Sequence, residues 1–279
     1  MSDLRDAIQG QVRLLFGTTD DNQLDLTRPA GDPGLFAPTS TAWRVHGDLT
    51  AMMVGGVASL LLQMLHTAAL AGVWDHSGFR RDMQGRLRRT AQFISGTTYG
   101  STPLAESLIE RVRAVHRRIS GTMADGTPYH ADDPALLTWV HAAEVQCFLA
   151  AYRRHLDPGM SGAEQDRYLA EMAPLAERLG AADVPASRAA LAGYFEQVRP
   201  ALRHDHRTRE VARVLLGEPA PTAALAPFRR LTIDAAVDLL PPWAARMHGL
   251  SQPPLRAAGT RAGMAGVGGV LRWALRKSA

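Results

Sequence analysis

Residues 48–75 read DLTAMMVGGVASLLLQMLHTAALAGVWD, and no side chain between Asp48 and Asp75 carries a formal charge. A helix of that length is long enough to cross a bilayer. Gln63 and His66 near its middle, the Gly55-Gly56 pair and the lack of clear basic flanks argue against a span. The run is therefore read as one long helix, from about Leu49 to Ala71, buried in a protein core. Membrane insertion or a docking surface stays open as the alternative.

Helical spacing continues on both sides of this run. Leu4, Ile8, Val12 and Leu15 mark a first amphipathic helix, followed by a polar Gly/Pro/Asp segment over residues 17–38. Thr39, Ser40 or Thr41 is placed to cap the next helix, and Asp75 or Ser77 the one carrying Arg86 and Thr90. Ser101-Thr102-Pro103 opens a helix whose core stripe is Leu108, Val112, Val115 and Ile119. Asp132-Asp133-Pro134 opens another, which buries Leu136, Val140, Ala143 and Cys147 and runs to about His155. Further helices are expected over 161–179, 186–198, 207–216, 227–240 and 242–248. No period-2 alternation and no hairpin signal is found, so the fold class is all-α.

Three parts follow: an N-terminal helix with its polar connection (1–40), a single multi-helix globular domain (41–250), and a Gly-, Ala- and Arg-rich tail (251–279). Val267, Val270, Leu271, Trp273 and Leu275 give the tail the pattern of a short amphipathic helix. It either packs on the body, touches anionic lipid or frays.

Composition narrows the function. The apolar share is 46% and the charged share 21% of 279 residues, as in a folded globular protein. Lys+Arg exceed Asp+Glu by 31 − 27 = 4, with no aromatic-interleaved basic stretch, so nucleic acid is not an expected partner. Cys147 alone allows no internal disulfide, and the N-terminus lacks a secretory pattern, which points to the cytoplasm. A peripheral membrane contact through residues 49–74 or the tail stays open, and oligomeric state is not legible. The chain has no Gly-rich phosphate loop, Gly-x-Ser-x-Gly elbow or Cys-x-x-Cys pair.

Two clusters carry chemistry. Arg86, Arg89 and Thr90 share one helical face, and Arg113 and His116 another. Imidazole ligates iron and guanidinium clamps carboxylates, the needs of an anionic iron macrocycle. Each cluster also has a bland reading, as a solvated basic face and a boundary histidine. His141 and Glu144 lie at i, i+3, but no second carboxylate–histidine pair exists to complete a di-iron bundle. His204-Asp205-His206 sits in a charged connection, and Asp75-His76-Ser77 reads as a cap. His66, in an apolar wall, needs a partner or a function.

Several blocks, in order, resemble the MpaB-type oxygenase family that includes latex clearing protein (rubber oxygenase). They are residues 61–66, 72–77, 86–90, 113–116, 129–134 and 139–141, then 168–171, 179–180, 240–242 and 249–250. The resemblance covers roughly residues 45–250. It implies an all-α fold enclosing a pocket for haem b. His116 would be the iron ligand, beside Arg113, with Arg86, Arg89 and Thr90 near the haem. His141 is counted among the cofactor contacts, and Arg86, Thr90 and His66 as catalytic candidates. Arg89 stands where the rubber enzyme has lysine, and that enzyme's catalytic glutamate has no counterpart in the uncharged run, so polyisoprene cleavage is not carried over. The implied activity is a haem-dependent oxygenase or oxidase acting with dioxygen on a small, mostly apolar substrate. A non-catalytic haem-binding or haem-sensing protein is the alternative.

Overall fold

A computed structural model describes residues 5–11, 24–123 and 125–275. Leu4, Val12 and Leu15 of the expected first helix lie outside the described residues, while 5–11 are helical (α1). The helices that follow are α2 (Thr41–His46), α3 (Leu49–Gln63), α4 (Thr67–His76), α5 (Met83–Tyr99) and α6 (Thr102–His116). After them come α7 (Pro134–His155), α8 (Gly162–Leu179), α9 (Arg188–Val198), α10 (His206–Gly217), α11 (Ala226–Leu239), α12 (Pro242–His248) and α13 (Pro254–Leu275). The protein is all-α.

Local chemistry sets the helix starts. Ser40, Ser101 and Asp133 each accept from the exposed amides of the first turn they precede, and Ser161 forms a reciprocal capping box with Glu164. The helix carrying Arg86 is capped by Asp82, which accepts from Gly85 N, so it starts later than Asp75 or Ser77 would place it.

The uncharged run forms two helices where one was expected. After Gln63 the chain turns through 103° and restarts at Thr67. No single helix among the described residues is long and apolar enough to cross a membrane; α3 and α4 pass that test only as this bent pair. α3 instead packs chiefly against α7 and α11, and Val54, Ala58, Leu61 and Leu62 are fully buried. Gly55 makes the approach to α7 possible: a Cβ there would stand 2.8 Å from the Phe148 ring and 3.0 Å from Cys147 O.

The bend interrupts the regular helical pattern, and Leu60 O, Leu62 O and Gln63 O keep local donors in Met64 N, Leu65 N and His66 N. Three carbonyls of the bend accept from elsewhere in the chain. Trp139 Nε1 donates to Gln63 O at 3.0 Å, His248 Nε2 to Leu61 O at 2.8 Å, and Arg203 N to Leu65 O at 2.8 Å.

A second departure is a small antiparallel hairpin, β1 (Ser120–Thr122) with β2 (Pro128–His130), in register Gly121↔Tyr129. Three-residue strands are too short to show alternation. Gly126, at φ +87°, supplies the left-handed turn residue. Tyr129 Oη donates to Asp75 Oδ2 at 2.7 Å, pinning the hairpin on α4.

Residues 254–275 form one helix that packs against α11 and α3. Its arginines meet carboxylates of the body. Arg256 pairs with Asp234, Arg272 with the nearly inaccessible Asp48, and Arg261 grips Asp238 through two bonds of 2.7 and 2.9 Å. Arg154 takes Asp238 from the other side at 3.0 Å.

Trp139→Phe removes one of the two donors to Gln63 O, leaving His66 N at 3.1 Å, and trims a fully buried ring, so it is expected to lower stability by about 1–3 kcal/mol. Urea unfolding of the variant beside wild type measures this; an unchanged midpoint would mean that His66 N alone satisfies the carbonyl and the core closes over the smaller ring.

Candidate functional site

The inner side of the bend is one wall of a cavity of about 370 Å³. Leu60, Gln63 and Met64 come from the end of α3, and Ala68, Ala69 and Val73 from α4. Val115 and His116 line it from α6, and Leu136, Leu137 and Val140 from α7. Arg86 and Arg89 enter from α5. Small and branched apolar side chains dominate, as in pockets that desolvate a ligand. Val115, expected in the core stripe, is 40% exposed and borders this cavity.

Two polar groups on the wall are left partly unmet. His116 Nδ1 is buried and unbonded. Burial lowers the pKa of this imidazole; Asp132 opposes the shift and Arg86 adds to it. Arg86 is half-buried, donates from Nη1 to Ser77 Oγ at 3.1 Å, and meets no carboxylate among the described residues. Burial and then the Arg89 charge pull its pKa down. A guanidinium held this way is a binding site for an anion.

A second cavity, of about 70 Å³, adjoins the first at His116, Leu137 and Val140, which line both. α7 presents Leu137, Val140, His141 and Glu144 to it along one face, and α5, α8 and His46 close the other sides. His141 Nε2 is buried without a partner, and burial drops its pKa to about 4. Glu144 is enclosed by protein, and burial pushes its carboxyl up to about 7. His46, lowered to about 3 by burial, sits 2.8 Å from Thr98 Oγ1 and 3.1 Å from Tyr168 Oη.

The structure thus gathers Arg86, Arg89, His116 and His141 around two adjoining cavities. It does not bring the remaining candidates there. Thr90 is exposed and donates to Arg86 O at 3.2 Å. Arg113 points outward to Glu110 at 3.7 Å. His66 precedes the first turn of α4, tilted against Trp139 at 5.8 Å, and lines neither cavity. His204 packs edge-on against His248, and among the described residues no group of three His, Cys, Asp or Glu is placed to hold a metal ion. Sequence reasoning missed Ser77, which positions Arg86, and undervalued Glu144, whose enclosure depends on helices far along the chain.

A family model described as ER-bound oxygenase mpaB/B′/rubber oxygenase, catalytic domain, matches residues 43–273. No curated protein and no solved structure matches.

Burial also fixes the acid limb of stability. Native His46, His141, His155 and His248 stay neutral down to about 3, 4, 4 and 4, whereas an ordinary imidazole protonates near 6.5. Between those values the unfolded chain binds more protons, so stability falls as pH drops from 6.5 towards 4. Unfolding midpoints measured across that window should show the slope, and His141→Phe should make it shallower; an unaltered slope would mean that native His141 protonates normally.

Proposed function

Because the chain belongs to the mpaB/B′ and rubber oxygenase catalytic-domain family, we propose that it is a haem b-dependent oxygenase acting on a small, mostly apolar substrate with dioxygen. The observation that carries this reading is the pairing of His116, whose buried Nδ1 is unbonded, with Arg86, a half-buried guanidinium lacking an anion, on one apolar wall.

The residues fit the group. A porphyrin brings four ligands of its own, so the protein need add only one imidazole, which suits a site without a cluster of ligating side chains. His116 is the ligand, held neutral by burial and therefore with a lone pair to give. Arg86 receives a carboxylate side arm of the macrocycle, already oriented by Ser77 Oγ. Arg89 stands at the rim, weakly paired with Asp82 at 3.4 Å, free to add a second charge contact. Bound haem supplies the redox-active iron that activates dioxygen. The chain supplies orientation, an apolar wall that excludes water, and selection of an uncharged substrate body.

An absorption spectrum of the purified protein, with a pyridine haemochrome assay, tests the reading. Wild type should show a Soret band that His116→Ala loses or shifts; a colourless wild type that takes up no added haem would overturn it. Arg86→Met separates binding from folding. Removing a half-buried charge that has no counter-ion should leave the haem-free protein as stable as wild type or more stable. Losing the charge-assisted bond should weaken haem binding roughly tenfold to a hundredfold. Thermal unfolding and haem titration read the two effects separately.

A further inference from the structure

Charge is concentrated where the main cavity opens. Over residues 75–118 nine arginines stand against four carboxylates, 9 − 4 = 5, while the whole chain carries +4, so all the other residues together sum to 4 − 5 = −1. The same stretch supplies His76, Arg86, Arg89 and Val115 to the cavity wall. Its carboxylates are taken: Asp75 accepts from Tyr129 Oη, Asp82 caps α5, Glu106 pairs with Arg178, and Glu110 with both Arg113 and Arg117. Arg81, Arg111 and Arg118 are exposed and form no ion pair among the described residues.

These three arginines border the rim. Arg81 N donates at 2.8 Å to the carbonyl of Gly78, a lining residue, and Arg118 N at 3.1 Å to that of Val115. Arg111, four residues before Val115, shares its stripe of α6. Val115 is 40% exposed, and of the large hydrophobic side chains exposed among the described residues it alone lines a cavity. Where the chain enters α7 the rim carries Asp132 and Asp133 instead, the second engaged as the α7 cap. The cationic side of the opening is therefore that of α5 and α6.

We propose that this rim docks the protein on an anionic bilayer, with the α5 and α6 arginines on the phosphate headgroups, Val115 against the lipid, and the cavity opening towards the acyl chains. The substrate then passes from lipid to cavity without crossing water, a step that rests on the apolar-substrate reading; the docking itself does not depend on haem. A mostly apolar molecule partitions into a bilayer, because leaving water is what drives it there. A cavity open only to bulk water would draw on the small dissolved fraction. Guanidinium suits such a rim, since it binds phosphate through two parallel bonds and is weakly hydrated. The rival surfaces have less to offer: the apolar residues of α3 are buried, and the described arginines of α13 are held by Asp234, Asp238 and Asp48.

The test is flotation of the full chain with phosphatidylcholine vesicles, with and without phosphatidylglycerol. Wild type should bind only the anionic vesicles and be released by high salt. Arg81→Glu/Arg111→Glu/Arg118→Glu should weaken that binding by roughly a hundredfold or more. Arg199→Glu/Arg230→Glu/Arg246→Glu makes the same change of net charge on residues that line neither cavity, and should keep most of it. A second measurement places the contact. An environment-sensitive dye on Val115→Cys should brighten on anionic vesicles while the same dye on Val270→Cys, in α13, does not; the native Cys147 is buried and stays unlabelled. No binding to anionic vesicles, equal loss in the two triple variants, or brightening at 270 alone would overturn the proposal. A colourless protein that docks as described would overturn the haem reading and leave the docking standing; a Soret band without vesicle binding would do the reverse.

Discussion

The break between α3 and α4 is the constraint on which the rest of the structure depends. A helix that stops inside a dry core leaves carbonyls that water cannot reach, and each such group left unmet costs about as much as a lost hydrogen bond. This chain meets them with three donors far apart in sequence: Trp139 from α7, the backbone of Arg203 before α10, and His248 at the end of α12. The bend is thereby tied to three other elements, and it cannot straighten without breaking all three bonds. Its inner side is the main cavity. The interaction that terminates a helix is the one that makes room for a ligand.

Charge is managed by place. Where α13 lies on the body, arginine meets aspartate at low exposure, with Asp238 shared between Arg154 and Arg261 and Asp48 taken by Arg272. Each such carboxylate would be costly without its guanidinium, so these pairs fix where α13 sits more than they add net stability. Around the cavities the pattern reverses. Arg86 has no counter-charge, Glu144 has no cation, and the histidines are held neutral.

Much of the fold was legible because capping chemistry is local. Ser40, Ser101, Asp133 and Ser161 announce their helices, and the structure starts each where they stand. The bend was not legible, because an uncharged run has no charged face whose phase would shift at residue 64, and no proline marks it. The hairpin escaped because three residues cannot show a period of two. For the candidate site, sequence spacing grouped Arg86 with Arg89, and both line one cavity together with His116. Arg113 and Thr90, grouped with them by the same spacing, do not line it, since residues three or four apart still differ by tens of degrees around the axis, enough to put one on the wall and its neighbour in solvent. Glu144 was visible only as a neighbour of His141; its meaning comes from α5 and α8 closing over it.

Unmet polar groups are expensive, and where they gather is therefore informative. His155 Nε2, His248 Nδ1 and His66 Nδ1 are scattered through the core, and at His248 the ring's other nitrogen is bonded to the bend. The unbonded nitrogens of His116 and His141, the uncompensated Arg86 and the unpaired Glu144 instead converge on two cavities that share a wall. Replacing any one of them by an apolar residue of similar size would remove a cost from the ligand-free fold. A set of such costs gathered in one place, rather than scattered through the core, marks a surface built to meet a ligand.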